Sequence, residues 1–353
     1  MKNYDLYQKL IKNFTNLDSN YQSNLFKSAN FYKIIKFLHN HHFNNCLEYK
    51  NLTKLEKTTK FNFFNIPIIP VEMFKSFNLK SIKEDRKQKI LKSSGTSGTQ
   101  SNIFLDTKNA IMQSIILKKL MMENIGEKKI PMIIFEKHNL NSKNNVFTAR
   151  EAGVLGFSSL ASEKISIENL SSQNLKIIKA FIKKYKNKKV LIFGFTDTIW
   201  NFFIKEKIKL NLSNCILLHG GGWKKLEKFR LNNKKFKKIL YDNYNIKNVI
   251  NYYGLIEQVG SIFFECKKGY FHTSVYSDII IRDNFLNDLG FNKKGLVHLI
   301  SILPTSYPGI SILTQDIGKI HYLDNCPCGK KGKSFSIFGR QESAVVRGCS
   351  NVQ

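Results

Sequence analysis

The sequence predicts an α/β protein, and three observations carry that prediction. Helical spacing dominates the first part of the chain, short apolar runs alternate with helical stretches through the middle, and short strands dominate the end. The apolar runs are Pro131 to Phe135, Val190 to Phe193, Ile216 to Leu218, Val249 to Tyr253 and Leu296 to Leu303. Each is brief and mainly apolar, as in buried strands. Between them, Ala110 to Asn124, Asn174 to Tyr185 and Trp223 to Asn232 read as helices. The expected architecture is a large domain of mainly parallel, helix-covered sheets with a β-rich C-terminal subdomain.

Along the chain, residues 1–75 form a helical region, with Phe26, Phe31, Ile34, Ile35, Phe37 and Leu38 at helical spacing. His39, His41 and His42 sit at a helix end in this reading, in preference to a metal cluster. Ile66-Pro67-Ile68-Ile69-Pro70 breaks the helical pattern and leads into Met73-Phe74-Lys75. Residues 76–265 make the α/β core and 266–338 the β-rich subdomain. Residues 339–353 are a hinge stub and cysteine tail, and no internal repeat is visible.

Composition excludes several classes. With 353 residues, 42% hydrophobic and 12% aromatic, the chain is globular and long enough for subdomains. Its net charge of +30 first suggests a polyanion partner. Only Arg86, Arg150, Arg230, Arg282, Arg340 and Arg347 are arginines, however, and the lysines are scattered among abundant Asn, Ile and Phe. That is the footprint of AT-rich codons and a solvated surface, so nucleic acid is not expected as a partner. The N-terminus lacks the apolar segment of a signal peptide, and no run reaches the roughly 18 apolar residues of a membrane span. The chain reads as cytoplasmic with no transmembrane segment, and its cysteines as thiols or metal ligands rather than disulfides.

Several segments carry chemistry. Ser93-Ser94-Gly95-Thr96-Ser97-Gly98-Thr99 can cradle phosphate with its backbone amides and hydroxyls, and it reads as lying between a helix and a strand. It is not a Walker loop, for Gly98 is followed by Thr99-Gln100 and not by Lys-Ser/Thr. In Tyr253-Gly254-Leu255-Ile256-Glu257 a strand ends at a glycine turn, with an aromatic able to stack a base and an acid able to hold Mg²⁺. His219-Gly220-Gly221-Gly222 follows a buried strand and leaves bare backbone against which a ring can lie. Asp316, in Thr314-Gln315-Asp316, reads as a strand-end carboxylate able to accept ribose hydroxyls, and Gly339-Arg340 follows near the C-terminus.

Taken in order, these segments resemble the acyl-adenylate-forming (AMP-binding) superfamily of acyl-CoA synthetases and luciferases. The resemblance narrows to the acyl-protein synthetases of bacterial luminescence (LuxE type). It does so on Pro70 to Lys75, Lys92 to Gly98, Phe193-Gly194-Phe195-Thr196, Ser306-Tyr307-Pro308-Gly309 with Thr314 and Asp316, and Arg347-Gly348-Cys349-Ser350. The resemblance implies an adenylate-forming large domain without the usual small C-terminal domain. It implies an ATP- and Mg²⁺-dependent fatty acid–protein ligase that forms acyl-AMP and moves the acyl group to Cys349 as a thioester. The acyl group then passes to a partner reductase or other acceptor protein. Ser94, Gly95, Thr96, Ser97 and Gly98 hold phosphates in this reading. Gly220, Gly221, Tyr253, Gly254 and Asp316 bind the nucleoside, Glu257 holds Mg²⁺, and Arg340 is a candidate transition-state cation. The usual lysine after the hydroxyl loop is absent, with Ser101 and Asn102 in its place. The alternative is an acyl-CoA synthetase-like ligase of envelope or glycan biosynthesis that loads CoA or a carrier protein.

Cys266, His272, Cys326 and Cys328 supply three sulfurs and an imidazole, the ligand set of a closed structural Zn²⁺ site, with reduced structural cysteines as the other reading. Cys46 and Cys215 read as core residues.

Overall fold

The computed structural model describes residues 2–55, 66–82, 88–93, 100–136, 145–205, 210–222 and 231–341. Helices α1 (Lys2–Thr15), α2 (Asn24–Asn45) and α3 (Leu47–Leu55) open the chain. Ser23 begins α2 by accepting the Phe26 amide, a helix N-cap. Strand β1 (Ile69–Pro70) and the turn-long helix α4 (Met73–Ser76) follow. Then come β2 (Gln88–Lys92), β3 (Asn102–Asp106), α5 (Thr107–Ile125), β4 (Ile130–Phe135), β5 (Val146–Thr148) and α6 (Ala149–Phe157). Next are β6 (Ala161–Ser166), α7 (Ser172–Lys184), β7 (Val190–Phe195), α8 (Thr196–Ile199) with a wider turn to Lys205, and β8 (Cys215–Gly220). The chain continues through α9 (Asn233–Tyr244), β9 (Asn248–Tyr253), β10 (Phe263–Phe264) and β11 (Phe271–His272). It closes with β12 (Ser277–Arg282), β13 (Gly295–Ser301), β14 (Ser311–Leu323) and β15 (Lys333–Arg340).

Three sheets organise these strands. The central one runs β10-β9-β8-β7-β4-β6, parallel except for β10. Every residue of β4 and β8 is buried, which is why both read as unbroken apolar runs rather than alternating ones. The second sheet runs β11-β15-β14-β13-β12, antiparallel throughout, and β1 joins it by pairing parallel with β14. The third is β3-β2-β5. The helical start packs on the second sheet: the buried Tyr7 hydroxyl donates to Ile302 O at 3.1 Å, and Tyr276 returns a bond to Phe14 O.

Two local expectations change. The Ser/Thr/Gly loop does not follow a helix; β2 precedes it, so the loop joins the antiparallel pair β2–β3. The polar alternation of Gln88-Lys89-Ile90-Leu91-Lys92 hides a short strand from an apolar-run search. Of the helix expected over Trp223 to Asn232, residues 223–230 lie outside the described residues, and Leu231 and Asn232 are not helical. Asn232 instead caps α9, accepting the Lys235 amide at 2.8 Å, and Phe236, Leu240 and Tyr244 bury its inner face at four-residue spacing.

His39, His41 and His42 fall in the last two turns of α2. His39 meets the Tyr49 hydroxyl at 2.9 Å, His41 meets Thr305 O at 2.8 Å, and His42 sits between Ser81 Oγ and Pro304 O. His39 thus ties α2 to α3, while His41 and His42 tie α2 to loop residues.

Candidate active site

The hydroxyl loop begins from a closed stem. Ser93 N donates to Ser101 O at 3.1 Å, and Ser101 N donates to Ser93 Oγ at 2.8 Å. Ser94, Gly95, Thr96, Ser97 and Gly98 lie outside the described residues, as does Cys349. The stem ends beside Glu257. That carboxyl is buried, and burial pushes its pKa above the usual range, while the Ser101 hydroxyl and the positive charges of Lys75 and Arg340 oppose the shift.

The Glu257 turn is held from behind. Gln258, fully buried, donates to Gly309 O at 3.0 Å and Leu299 O at 3.3 Å, and the Val259 amide donates to the Tyr307 hydroxyl at 3.2 Å. Ser306-Tyr307-Pro308-Gly309 is therefore a backing for Glu257. Its other end reaches β3 and α5, where Ser306 Oγ lies 3.1 Å from both the Asp106 amide and the Asp106 carboxylate.

Asp316 and Arg340 face each other across β14 and β15, with Arg340 Nε 4.0 Å from Asp316 Oδ1. Asp316 lies within the long strand β14, not at a strand end; its amide donates to Thr314 Oγ1. Burial pushes the Asp316 pKa up, and the Tyr253 hydroxyl, donating to Oδ2 at 2.6 Å, together with Arg340 pulls the other way. The Tyr253 phenol is raised well above its ordinary value, chiefly by burial. Its ring packs among Phe263, Phe271 and Phe335.

At the end of β8, a Cβ on Gly220 would stand 2.5 Å from Tyr252 Cε1, so the ring against this bare backbone is Tyr252. Gly221 follows with φ +79°. Gly254 lies against Ile262, and its turn carries the chain from Tyr253 to Glu257. His219 is buried, with Nδ1 3.0 Å from Thr196 Oγ1, and that hydroxyl donates to Gly220 O at 3.1 Å. Desolvation holds the His219 pKa down to about 3, so the ring is neutral at neutral pH.

The structure thus gathers the loop stem, Glu257, Arg340, Asp316 and Tyr253 around one region. Two neighbours of Glu257 were not assigned a role from sequence: Lys75 on α4 and Ser101 at the stem. In the sequence Lys75 carries only part of the family resemblance, and nothing local ties it to an acid so far along the chain.

Separately, Cys266, His272, Cys326 and Cys328 converge, with their ligand atoms all within 4.8 Å of one another. This cluster could hold a metal ion.

The fold matches adenylate-forming ligases. A structure of 2-hydroxyisobutyryl-CoA ligase in the postadenylation state with 2-HIB-AMP superposes with TM-score 0.70 at 12% identity, over 92% of this chain and 72% of that one. An open conformation of that ligase with 2-HIB-AMP and CoA gives TM-score 0.68 at 12% identity, over 92% and 80%. No curated protein matches the sequence. The family described as "Acyl-protein synthetase, LuxE" matches residues 13–353.

Proposed function

We propose that this chain, which belongs to the LuxE acyl-protein synthetase family, uses ATP to activate a carboxylic acid as acyl-AMP and then carries the acyl group on Cys349. The observation that supports the first step most directly is the convergence on Glu257. A buried acid, the stem of a phosphate-cradling loop and two cations from distant segments meet there, next to a carboxylate placed for a ribose.

In the first step a substrate carboxylate oxygen attacks the α-phosphorus of ATP, forming the acyl–phosphate bond as the bond to pyrophosphate breaks. Ser94, Gly95, Thr96, Ser97 and Gly98 orient the departing phosphates with backbone N–H groups and hydroxyls. Lys75 and Arg340 supply positive charge where the usual lysine after the loop is replaced by Ser101 and Asn102. Glu257 is the residue that would hold Mg²⁺, which when bound offsets the charge of the phosphate oxygens. Asp316 accepts the ribose hydroxyls, and Tyr253 keeps that carboxylate ionised and aimed. Gly220, Gly221 and Gly254 are the backbone that would flank the base, with the Tyr252 ring already packed on Gly220.

In the second step the Cys349 thiolate attacks the acyl carbon, forming the thioester and releasing AMP. Support for this step is the family itself and the segment Arg347-Gly348-Cys349-Ser350, which lies within the matched residues and carries part of the resemblance. A long-chain fatty acid as substrate and an acyl reductase as the next acceptor follow from the family resemblance.

The test is incubation of purified protein with Mg-ATP and labelled myristic acid, beside Cys349→Ser. Hydroxylamine-labile label on the wild type alone, with AMP and pyrophosphate released, supports both steps. Acid-dependent ATP–pyrophosphate exchange without label retains adenylation and removes Cys349 as carrier. Undiminished CoA-dependent turnover by Cys349→Ser would assign the acyl group to CoA. The absence of exchange across a panel of acids would sink the proposal.

A further inference from the structure

The Cys/His cluster has no part in acid activation. We infer that Cys266, His272, Cys326 and Cys328 bind one Zn²⁺ in a closed tetrahedral site, and that this ion clamps the β14–β15 turn to the β10–β11 turn, beside the linker between α1 and α2 and the end of α5.

The donor set comes first. Three thiols and one imidazole suit a soft or borderline cation and exclude Mg²⁺ and Ca²⁺, which take oxygen ligands. Four protein ligands leave no open position, which makes the site structural rather than catalytic. Cys328 Sγ lies 3.4 Å from His272 Nε2. A tetrahedral ion with Zn–S of ~2.3 Å and Zn–N of ~2.0 Å separates those atoms by about 3.5 Å. A disulfide would use two sulfurs and strand the third beside a fully buried imidazole.

The ligands are also held in advance by two similar turns. In Cys266-Lys267-Lys268-Gly269 and Cys326-Pro327-Cys328-Gly329, the glycine amide donates to the first cysteine's carbonyl, at 2.8 and 2.9 Å. Gly269 and Gly329 have φ of +84° and +91°, a region that favours glycine. A backbone amide two residues on points at a sulfur in each half: Lys268 N to Cys266 Sγ and Lys330 N to Cys328 Sγ, both at 3.4 Å. Such N–H to sulfur bonds orient and stabilise thiolate ligands. Three thiolates around a dication leave one net negative charge, and Lys267, Lys268, Lys330 and Lys331 flank it.

The position gives the ion its role. The Tyr21 ring packs edge-to-face on His272, and Lys330 Nζ lies 4.1 Å from the centre of the Tyr21 ring. Lys330 also bonds Asn124 Oδ1 near the end of α5, and Asn124 Nδ2 donates to the Tyr21 hydroxyl at 2.8 Å. Glu123 receives the Ser19 hydroxyl and the Asn20 amide, while Asp324 in the same turn receives the Asn24 amide. The linker between α1 and α2, the end of α5 and the β14–β15 turn all meet at this point.

The test uses untagged full-length protein from zinc-supplemented medium. Elemental analysis is expected to give about one zinc per chain, released on titration of the cluster thiols with a mercurial. Cobalt reconstitution is expected to give a thiolate-to-cobalt charge-transfer band and the d–d bands of a tetrahedral site. Cys328→Ser should lose the metal or change that spectrum, whereas Cys215→Ser, a core thiol of β8, should do neither. Less than about 0.1 zinc per wild-type chain with no cobalt spectrum overturns the inference, as does full zinc retention with an unchanged cobalt spectrum in Cys328→Ser. Iron with inorganic sulfide in place of zinc would overturn it too. If Cys328→Ser does not fold, the wild-type stoichiometry and cobalt spectrum still decide. None of these measurements depends on acid activation, so the outcome is independent of the proposed function.

Discussion

One hairpin, β14–β15, has two ends with different tasks. At its open end Asp316 and Arg340 face each other in the candidate active site; at its closed end the turn brings Cys326 and Cys328 to Cys266 and His272. Seven residues separate Asp316 from Leu323, roughly 23 Å of strand at ~3.3 Å per residue. The open end is assembled from side chains far apart in sequence and remains half open to solvent at Arg340. The closed end is built from two short turns with ligands already in place. The comparison teaches that charge chemistry can be left adjustable when the strand carrying it is fixed elsewhere.

The largest effect that separates the two ends is expected from Glu257→Gln. It removes the charge beside the loop stem and keeps the side chain's shape, so acid-dependent ATP–pyrophosphate exchange should fall by about 10²- to 10³-fold. The melting temperature should hardly move, since a buried acid is replaced by a neutral amide of like size. A large loss of stability with unchanged exchange would place Glu257 in the fold rather than in the chemistry.

Metal removal should do the reverse. Loss of a structural ion worth about 3–5 kcal/mol lowers the melting temperature by roughly 4–7 °C in a chain of this size. Exchange activity measured well below the transition should stay within about 3-fold. Equal loss of both would show that the clamp positions Asp316 and Arg340 directly, and would collapse the distinction between the ends.

The two ends also differ in how far the sequence reveals them. Cys266, His272, Cys326 and Cys328 are chemically distinctive, and glycine in each turn marks the conformation required. Fold class is readable because β4, β7, β8 and β9 are short, mainly apolar runs set between helical stretches. The open end was readable chiefly through the order of its motifs. Tyr253 suggested a base-stacking ring, yet its hydroxyl binds Asp316 and its ring sits in an aromatic cluster. Asp316 reads from sequence as a strand-end carboxylate, but β14 continues past it through Gly318 to Leu323. Lys75 could not be linked to Glu257 without tertiary structure, since proximity between remote segments leaves no periodicity or spacing to read.

Acid should weaken the fold at neither end in particular. His42, His219 and His298 are buried, and desolvation holds each pKa below its ordinary value, His219 to about 3. Between those values and about 6.5 the unfolded chain binds more protons than the folded one, so stability falls as pH drops below about 6.5. His219 alone contributes a slope of roughly 1.4 kcal/mol per pH unit over that window. Thermal melts from pH 8 to pH 5 on the Cys328→Ser background exclude proton competition at the metal ligands. His219→Asn should flatten the decline there, and an unchanged slope would reject His219 as a contributor.

The smallest expected effect sharpens the open end. Tyr253→Phe keeps the ring among Phe263, Phe271 and Phe335 and removes only the hydroxyl that donates to Asp316 Oδ2. That donor favours the ionised carboxylate, so its loss lets burial raise the Asp316 pKa further. One hydrogen bond of about 1 kcal/mol corresponds to roughly a 5-fold rise in the KM for ATP. The rise should be larger at low pH, where more Asp316 would be protonated, and shrink as pH increases. Asp316→Asn should weaken ATP binding more and lose that pH dependence, because no carboxylate remains to titrate. A Tyr253→Phe effect that is flat with pH would instead point to the ring's packing, and Asp316 would then need another explanation for its burial beside Arg340.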